Sequence, residues 1–121
     1  MDGYVTADRE IIIPIIVRGA GGGEIEVPAV LDTGFTDSLG LLPILIEQLG
    51  LPFFSSADAV LADGRLQRFA LHTGRVLWEG QWREVVITAT EGGPLLGMGL
   101  MYGNLATLEL IDGGNASLEE L

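Results

Sequence analysis

The chain has 121 residues, 48% of them hydrophobic, with six arginines, no lysine and 17 carboxylic side chains, for a formal charge of −11. That length suits one domain over residues 1–121 with its own core, and the charge opposes nucleic acid or an anionic membrane surface as a partner. Without cysteine or lysine there is no disulfide, thiolate metal site, cysteine nucleophile, Schiff-base lysine or Gly-Lys-Ser/Thr phosphate loop, and a lone His72 cannot make a two-histidine metal centre.

Ile11 to Val17 is the most apolar run. It is only seven residues long, contains Pro14 and follows Asp8 and Glu10, so it reads as a buried strand and not as a secretory or membrane segment; a cytoplasmic location is the expectation. Ile11, Ile13, Ile15 and Val17 alternate with a second set, and Pro14 calls for an edge or bulge position. The glycine-rich Gly19–Gly23 turns the chain into Glu24–Val27, which makes a hairpin. A dinucleotide-binding Gly-x-Gly-x-x-Gly fails there because Glu24 occupies the third glycine position.

Val30-Leu31 runs into Asp32-Thr33-Gly34, and Leu39–Leu42 follows. Pro43 then suits a first helical turn, with Gly50 as a left-handed stop, so a helix of about two turns is predicted between them. Ala59–Ala62 and Arg65–Phe69 flank Asp63-Gly64, a dipeptide that favours a tight hairpin turn with positive φ. Phe69–Thr73 continues as strand and carries His72 as a structural residue, since no Gly-x-Ser-x-Gly elbow exists: Thr36 stands two residues before Ser38. A second hairpin joins Arg75–Trp78 to Trp82–Thr88 about Glu79-Gly80, with both tryptophans in packing roles. Leu95-Leu96-Gly97 precedes a short helix over Met98–Tyr102 and a strand over Ala106–Ile111. Asp112–Asn115 turns the chain, and the acidic tail from Ala116 to Leu121 forms a final strand or frays.

Eighteen glycines between short apolar runs, without a repeat, indicate a mostly β fold of small barrel or sandwich type with one or two short helices. Within it, Asp32 is the acid placed between an apolar strand and a glycine that lets the chain turn. An isolated Asp-Thr-Gly is also an ordinary turn composition. What adds weight is Leu95-Leu96-Gly97, about sixty residues on, where two large apolar residues and a glycine let one backbone pass closely over another.

These landmarks resemble a retropepsin-like aspartic protease of the small prokaryotic kind. Val30–Thr36 resembles the active-site loop, Leu41-Leu42-Pro43 the strand after it, Ala62–Arg65 the flap hairpin with Asp63 and Gly64 at its tip, and Leu95–Met101 the second motif with its short helix. The resemblance implies a closed-barrel-like acid-protease fold with Asp32 as catalytic acid and no metal or cofactor. It also implies that Thr33 bonds across a twofold axis to the partner's loop, while Gly34 leaves room for the approach. Peptide hydrolysis of this kind needs two facing carboxyls, and one chain holds one such aspartate. The implied assembly is therefore a homodimer acting on an extended peptide or protein.

Viral members of the family carry an acid where Thr36 stands and an arginine where Met98 stands, so their ion pair has no counterpart here. They also interleave both termini, which in this chain would bring Glu119 and Glu120 near their symmetry copies. Two other readings fit the same residues. One is a non-catalytic retropepsin-fold dimerisation or peptide-binding module. The other is a single-chain carboxylate hydrolase pairing Asp32 with Asp37 or Asp63.

Overall fold

The computed structural model describes residues 1–121. Strands β1 (Asp2–Val5), β2 (Ile11–Arg18), β3 (Glu24–Leu31) and β4 (Leu39–Leu41) lead into helix α1 (Pro43–Leu49). Strands β5 (Phe53–Val60), β6 (Leu66–Trp78), β7 (Gln81–Ala89) and β8 (Leu95–Leu96), helix α2 (Met98–Met101), and strands β9 (Asn104–Leu108) and β10 (Asn115–Glu120) follow. Six of the strands run β6-β7-β4-β8-β3-β2, and pairing of Val17 and Arg18 with Val76 and Arg75 closes this ring into a barrel. Strands β1, β10 and β9 extend it beyond β2, and β5 extends it beyond β6.

Alternation in β2 sets the core. Ile13, Ile15 and Val17 are fully buried, against Val27 and Ala29 of β3, Leu39 and Leu41 of β4, and Val76, Ile87, Leu96 and Leu100. Burying a side chain of this size is worth roughly 1.5–3 kcal/mol relative to leaving it in water.

Pro14 sits opposite Pro28 in the β2–β3 ladder. The N–H of Val30 points away from β2, to Pro94 O at 2.9 Å, so this parity of β3 residues faces outward and the proline pair lies at a position that exchanges no hydrogen bonds. Pro14 falls between the stretch of β2 paired with β1 and the stretch paired with β6. Neither missing donor therefore breaks a ladder, which is how two prolines are tolerated inside a barrel strand.

Helix α1 begins on Pro43 and ends at Gly50, whose φ of 63° lets its N–H turn back to Glu47 O and Ile46 O. Leu41 is the last residue of β4, so the strand ends one residue before Leu42 and Pro43 opens the helix. At Asp63-Gly64 the hairpin loop has three residues, not two: Leu61 N–H bonds Arg65 O at 2.8 Å, Gly64 N–H bonds Leu61 O at 2.9 Å, and only Gly64 has positive φ, 83°. The G1-type bulge at Gly64 replaces the tight two-residue turn.

The C-terminal third departs most from the sequence-based expectation. Strand β9 starts earlier and stops at Leu108, leaving Leu110 and Ile111 exposed in the connection to β10. The tail does not fray. Ala116 and Leu118 are 1% exposed and belong to the core, and β10 lies between β1 and β9 of its own chain. Both ends of the chain are thus paired intramolecularly. No helix is long and apolar enough to cross a membrane.

Candidate active site

Asp32 is the residue at which β3 stops. Parallel pairing of Val30 with Leu95 and Leu31 with Leu96 holds the strand end, and Asp32 N–H donates to Leu96 O at 2.9 Å. Strand β8 also pairs antiparallel with β4, so the loop from Asp32 to Ser38 leaves one neighbour of β8 and returns as the other. It must therefore arch over the end of β8, where Gly97 lies.

The arch is held by backbone bonds on both legs. Gly97 N–H donates to Ser38 O at 3.0 Å, Met98 N–H to Phe35 O at 2.8 Å and Gly99 N–H to Asp37 O at 3.1 Å. A Cβ at Gly97 would stand 1.9 Å from Asp37 O and 2.6 Å from Phe35 Cδ2, so only glycine fits. Three main-chain bonds therefore join the two segments, and Thr36 and Met98 bring no charge to the contact.

Within the arch, Asp32 is half-buried while Thr33 and Gly34 are exposed. Asp32 Oδ1 accepts the Gly34 N–H at 2.9 Å and Phe35 N–H reaches Asp32 O at 3.2 Å, a local turn that orients the carboxyl and leaves its second oxygen without an intrachain partner. The Thr33 hydroxyl makes no hydrogen bond inside the chain. Asp37 does: its Oδ2 accepts from Thr88 Oγ1 at 3.1 Å, tying the arch to β7. Nothing local in the sequence marks that contact, because the two residues are 51 positions apart and meet only through the β4–β7 pairing.

The fold brings Asp32, Thr33 and Gly34 together with Leu95, Leu96 and Gly97. It places Asp63 and Gly64 elsewhere, at the tip of the β5–β6 hairpin, which no hydrogen bond or ion pair joins to the arch. The hairpin is braced internally. Arg68 Nε bonds Asp58 Oδ1 at 3.0 Å, and Asp63 accepts both the backbone N–H and the guanidinium of Arg65. The Arg68 guanidinium, by hydrogen bond and then by charge, holds the Asp58 carboxyl below its ordinary value, and Asp58 in turn raises Arg68. The backbone N–H of Arg65 and then its side chain lower Asp63. Toward the barrel, His72 Nδ1 lies 3.0 Å from Leu51 O and its ring meets Phe53 edge-on, as befits a structural histidine.

Three of the six surface cavities are formed by other parts of the chain, and Asp32 lines none of these three. No group of three or more acidic or histidine side chains is arranged to hold a metal ion.

No protein-family model matches the sequence. No curated protein matches it by sequence either. The structure is similar to the crystal structure of a retropepsin-like aspartic protease from Rickettsia conorii, with a TM-score of 0.63 and 18% identity over 99% of this chain and 89% of that one. The chain therefore has the retropepsin-like fold.

Proposed function

We propose that this retropepsin-fold chain is an aspartic endopeptidase, active as a homodimer, in which each protomer contributes Asp32. The observation that carries the reading is the position of Asp32: half-buried, at a strand end, in an arch locked by Gly97, with exposed Thr33 and Gly34 beside it. A twofold axis past this arch sets two such carboxyls face to face without further sequence.

Two carboxyls about 3 Å apart do not both ionise, so they share one proton, as in the aspartic-protease dyads for which this is known. The ionised member accepts a proton from a water held between them as its oxygen attacks the peptide carbonyl carbon. The protonated member donates to the carbonyl oxygen, giving a neutral tetrahedral gem-diol. A dyad proton then passes to the amide nitrogen, the C–N bond breaks, and the second proton returns to the dyad as the carbonyl re-forms. Thr33 braces the two arches across the axis, Gly34 permits their approach, and the β5–β6 hairpin with Asp63 and Gly64 at its tip covers an extended substrate as a flap.

The test is Asp32→Asn. It should abolish hydrolysis across a diverse peptide library while sedimentation shows the dimer intact. Undiminished hydrolysis by the variant contradicts the reading, and a dimeric wild type with no turnover at any pH leaves the fold as a peptide-binding module.

A further inference from the structure

Two of the chain's six arginines meet where the barrel closes. The β2–β6 seam consists of two residue pairs, Val17 with Val76 and Arg18 with Arg75. Register carries the row further on both sides, since Arg18 also pairs with Glu24 of β3 and Arg75 with Glu84 of β7. Partners across a ladder share a face, so one outer row reads Glu24, Arg18, Arg75, Glu84, with the two cations adjacent at its centre on Cα atoms about 5 Å apart. Like charges directly opposite each other repel, and this pair makes up half of the contact that closes the barrel.

The two arginines are held differently. Arg18 Nε donates to Glu24 Oε1 at 2.9 Å and Nη2 reaches the same oxygen, while the guanidinium carbon lies 3.8 Å from the centre of the Trp82 ring. Its orientation is thus fixed, and its Nη1 has no partner in the chain. The Arg75 side chain makes no hydrogen bond and pairs with no carboxylate, not even Glu84 across the ladder. Both arginines line a cavity of about 450 Å³, together with Thr73, whose hydroxyl is unbonded, and the glycine-rich turn after β2, where no side chain exceeds a methyl group. Glu84 is the one carboxylate on its wall. Glu24 and Asp32 are eight residues apart along β3, about 26 Å, so this cavity lies at the other end of the strand from the Asp32 arch.

From these observations we propose that the cavity binds a phosphate group, free or carried by a small molecule, between Arg18 and Arg75. A carboxylate fills one guanidinium fork and brings one charge, whereas a phosphate brings about two charges and enough oxygens to engage both forks at once. A polyanion such as nucleic acid would meet the whole negative surface. A small ligand is governed by the charges within about 8 Å, where two guanidiniums face the single carboxylate of Glu84. The bound phosphate bridges β2 and β6, relieves the repulsion at their seam and so stabilises closure of the barrel. This goes beyond the peptidase reading and does not depend on it.

In the full chain labelled with ¹⁵N, the Nε–H resonances of Arg18 and Arg75 should shift saturably with inorganic phosphate at constant pH and ionic strength, and the thermal unfolding midpoint should rise in step. Acetate should bind about tenfold more weakly or worse. Glycerol 3-phosphate separates the two sources: tighter binding than inorganic phosphate makes the ligand a phosphate ester, and equal or weaker binding makes it free phosphate. Arg75→Gln should weaken phosphate binding about tenfold to a hundredfold, and Glu84→Gln should tighten it severalfold by removing the opposing carboxylate. Arg83→Gln, which changes the net charge as Arg75→Gln does but lies outside the cavity, should change it by about twofold at most. Arg75, Arg83 and Glu84 are all exposed, so the variants keep the fold. No saturable shift, equal affinity for acetate, or a loss in Arg83→Gln as large as in Arg75→Gln would overturn the site. Asp32→Asn should bind phosphate as the wild type does, so the peptidase reading stands or falls separately.

Discussion

A Cβ on Gly97 would lie 1.9 Å from the carbonyl oxygen of Asp37, closer than any two unbonded atoms can stand. The Asp32 arch and the segment after β8 are thus packed backbone against backbone. Gly97→Ala forces the arch outward or breaks the three hydrogen bonds that hold it. We expect a loss of about 3 kcal/mol or more, at the upper end of overpacking costs, measured by denaturant unfolding, with hydrolysis lost in whatever fraction stays folded.

The Thr88–Asp37 bond should be worth far less. Thr88 is buried, but Asp37 is exposed, and water can replace the hydroxyl once it is gone. Thr88→Val keeps the shape and should cost about 0.5–1.5 kcal/mol in unfolding free energy, with the retropepsin-like barrel unchanged.

How far each of these positions is readable before folding differs. The glycine after two leucines at 95–97, the Pro43-to-Gly50 helix and the Gly64 turn are all local chemistry, so residue type and spacing announce them. The Thr88 contact has no such mark, nor does the seating of β10 between β1 and β9. Met1 O and Leu118 N–H meet from opposite ends of the chain, and the acidic Ser-Leu-Glu-Glu composition of the tail resembles that of a frayed terminus. Leu110 and Ile111 mislead in the other direction: their strand propensity is real, but the turn closed by Gly114 N–H to Ile111 O ends the pairing first.

Thr33 separates assembly from folding. Its side chain is exposed and unbonded within the protomer, so Thr33→Ala should leave the unfolding midpoint of a dilute, monomeric sample unchanged. Under the proposed dimer it removes a cross-axis hydrogen bond from each arch, and the dissociation constant read by sedimentation equilibrium should rise about tenfold or more.

Acid should loosen the β5–β6 hairpin before the barrel. Asp58 and Asp63 are both held below the ordinary carboxylate value of 3.8 by Arg68 and Arg65. A carboxyl lowered on folding stabilises the folded hairpin above its unfolded value, and that contribution fades as the pH falls through the lower folded one. Amide exchange in residues 53–66 should therefore accelerate below about pH 4 relative to β2 and β3, and the effect should shrink in high salt because both pairs are exposed. Equal acceleration in hairpin and barrel would show that the ion pairs do not order this arm.

The half-site is tested most directly by mixing. Wild-type and Asp32→Asn chains, equilibrated together in equal amounts under dimerising conditions, give random pairs of which about a quarter carry two Asp32 carboxyls. The account predicts peptide hydrolysis at about a quarter of the rate of an all-wild-type sample at the same total concentration. A rate of one half would mean that each chain works alone and would contradict it.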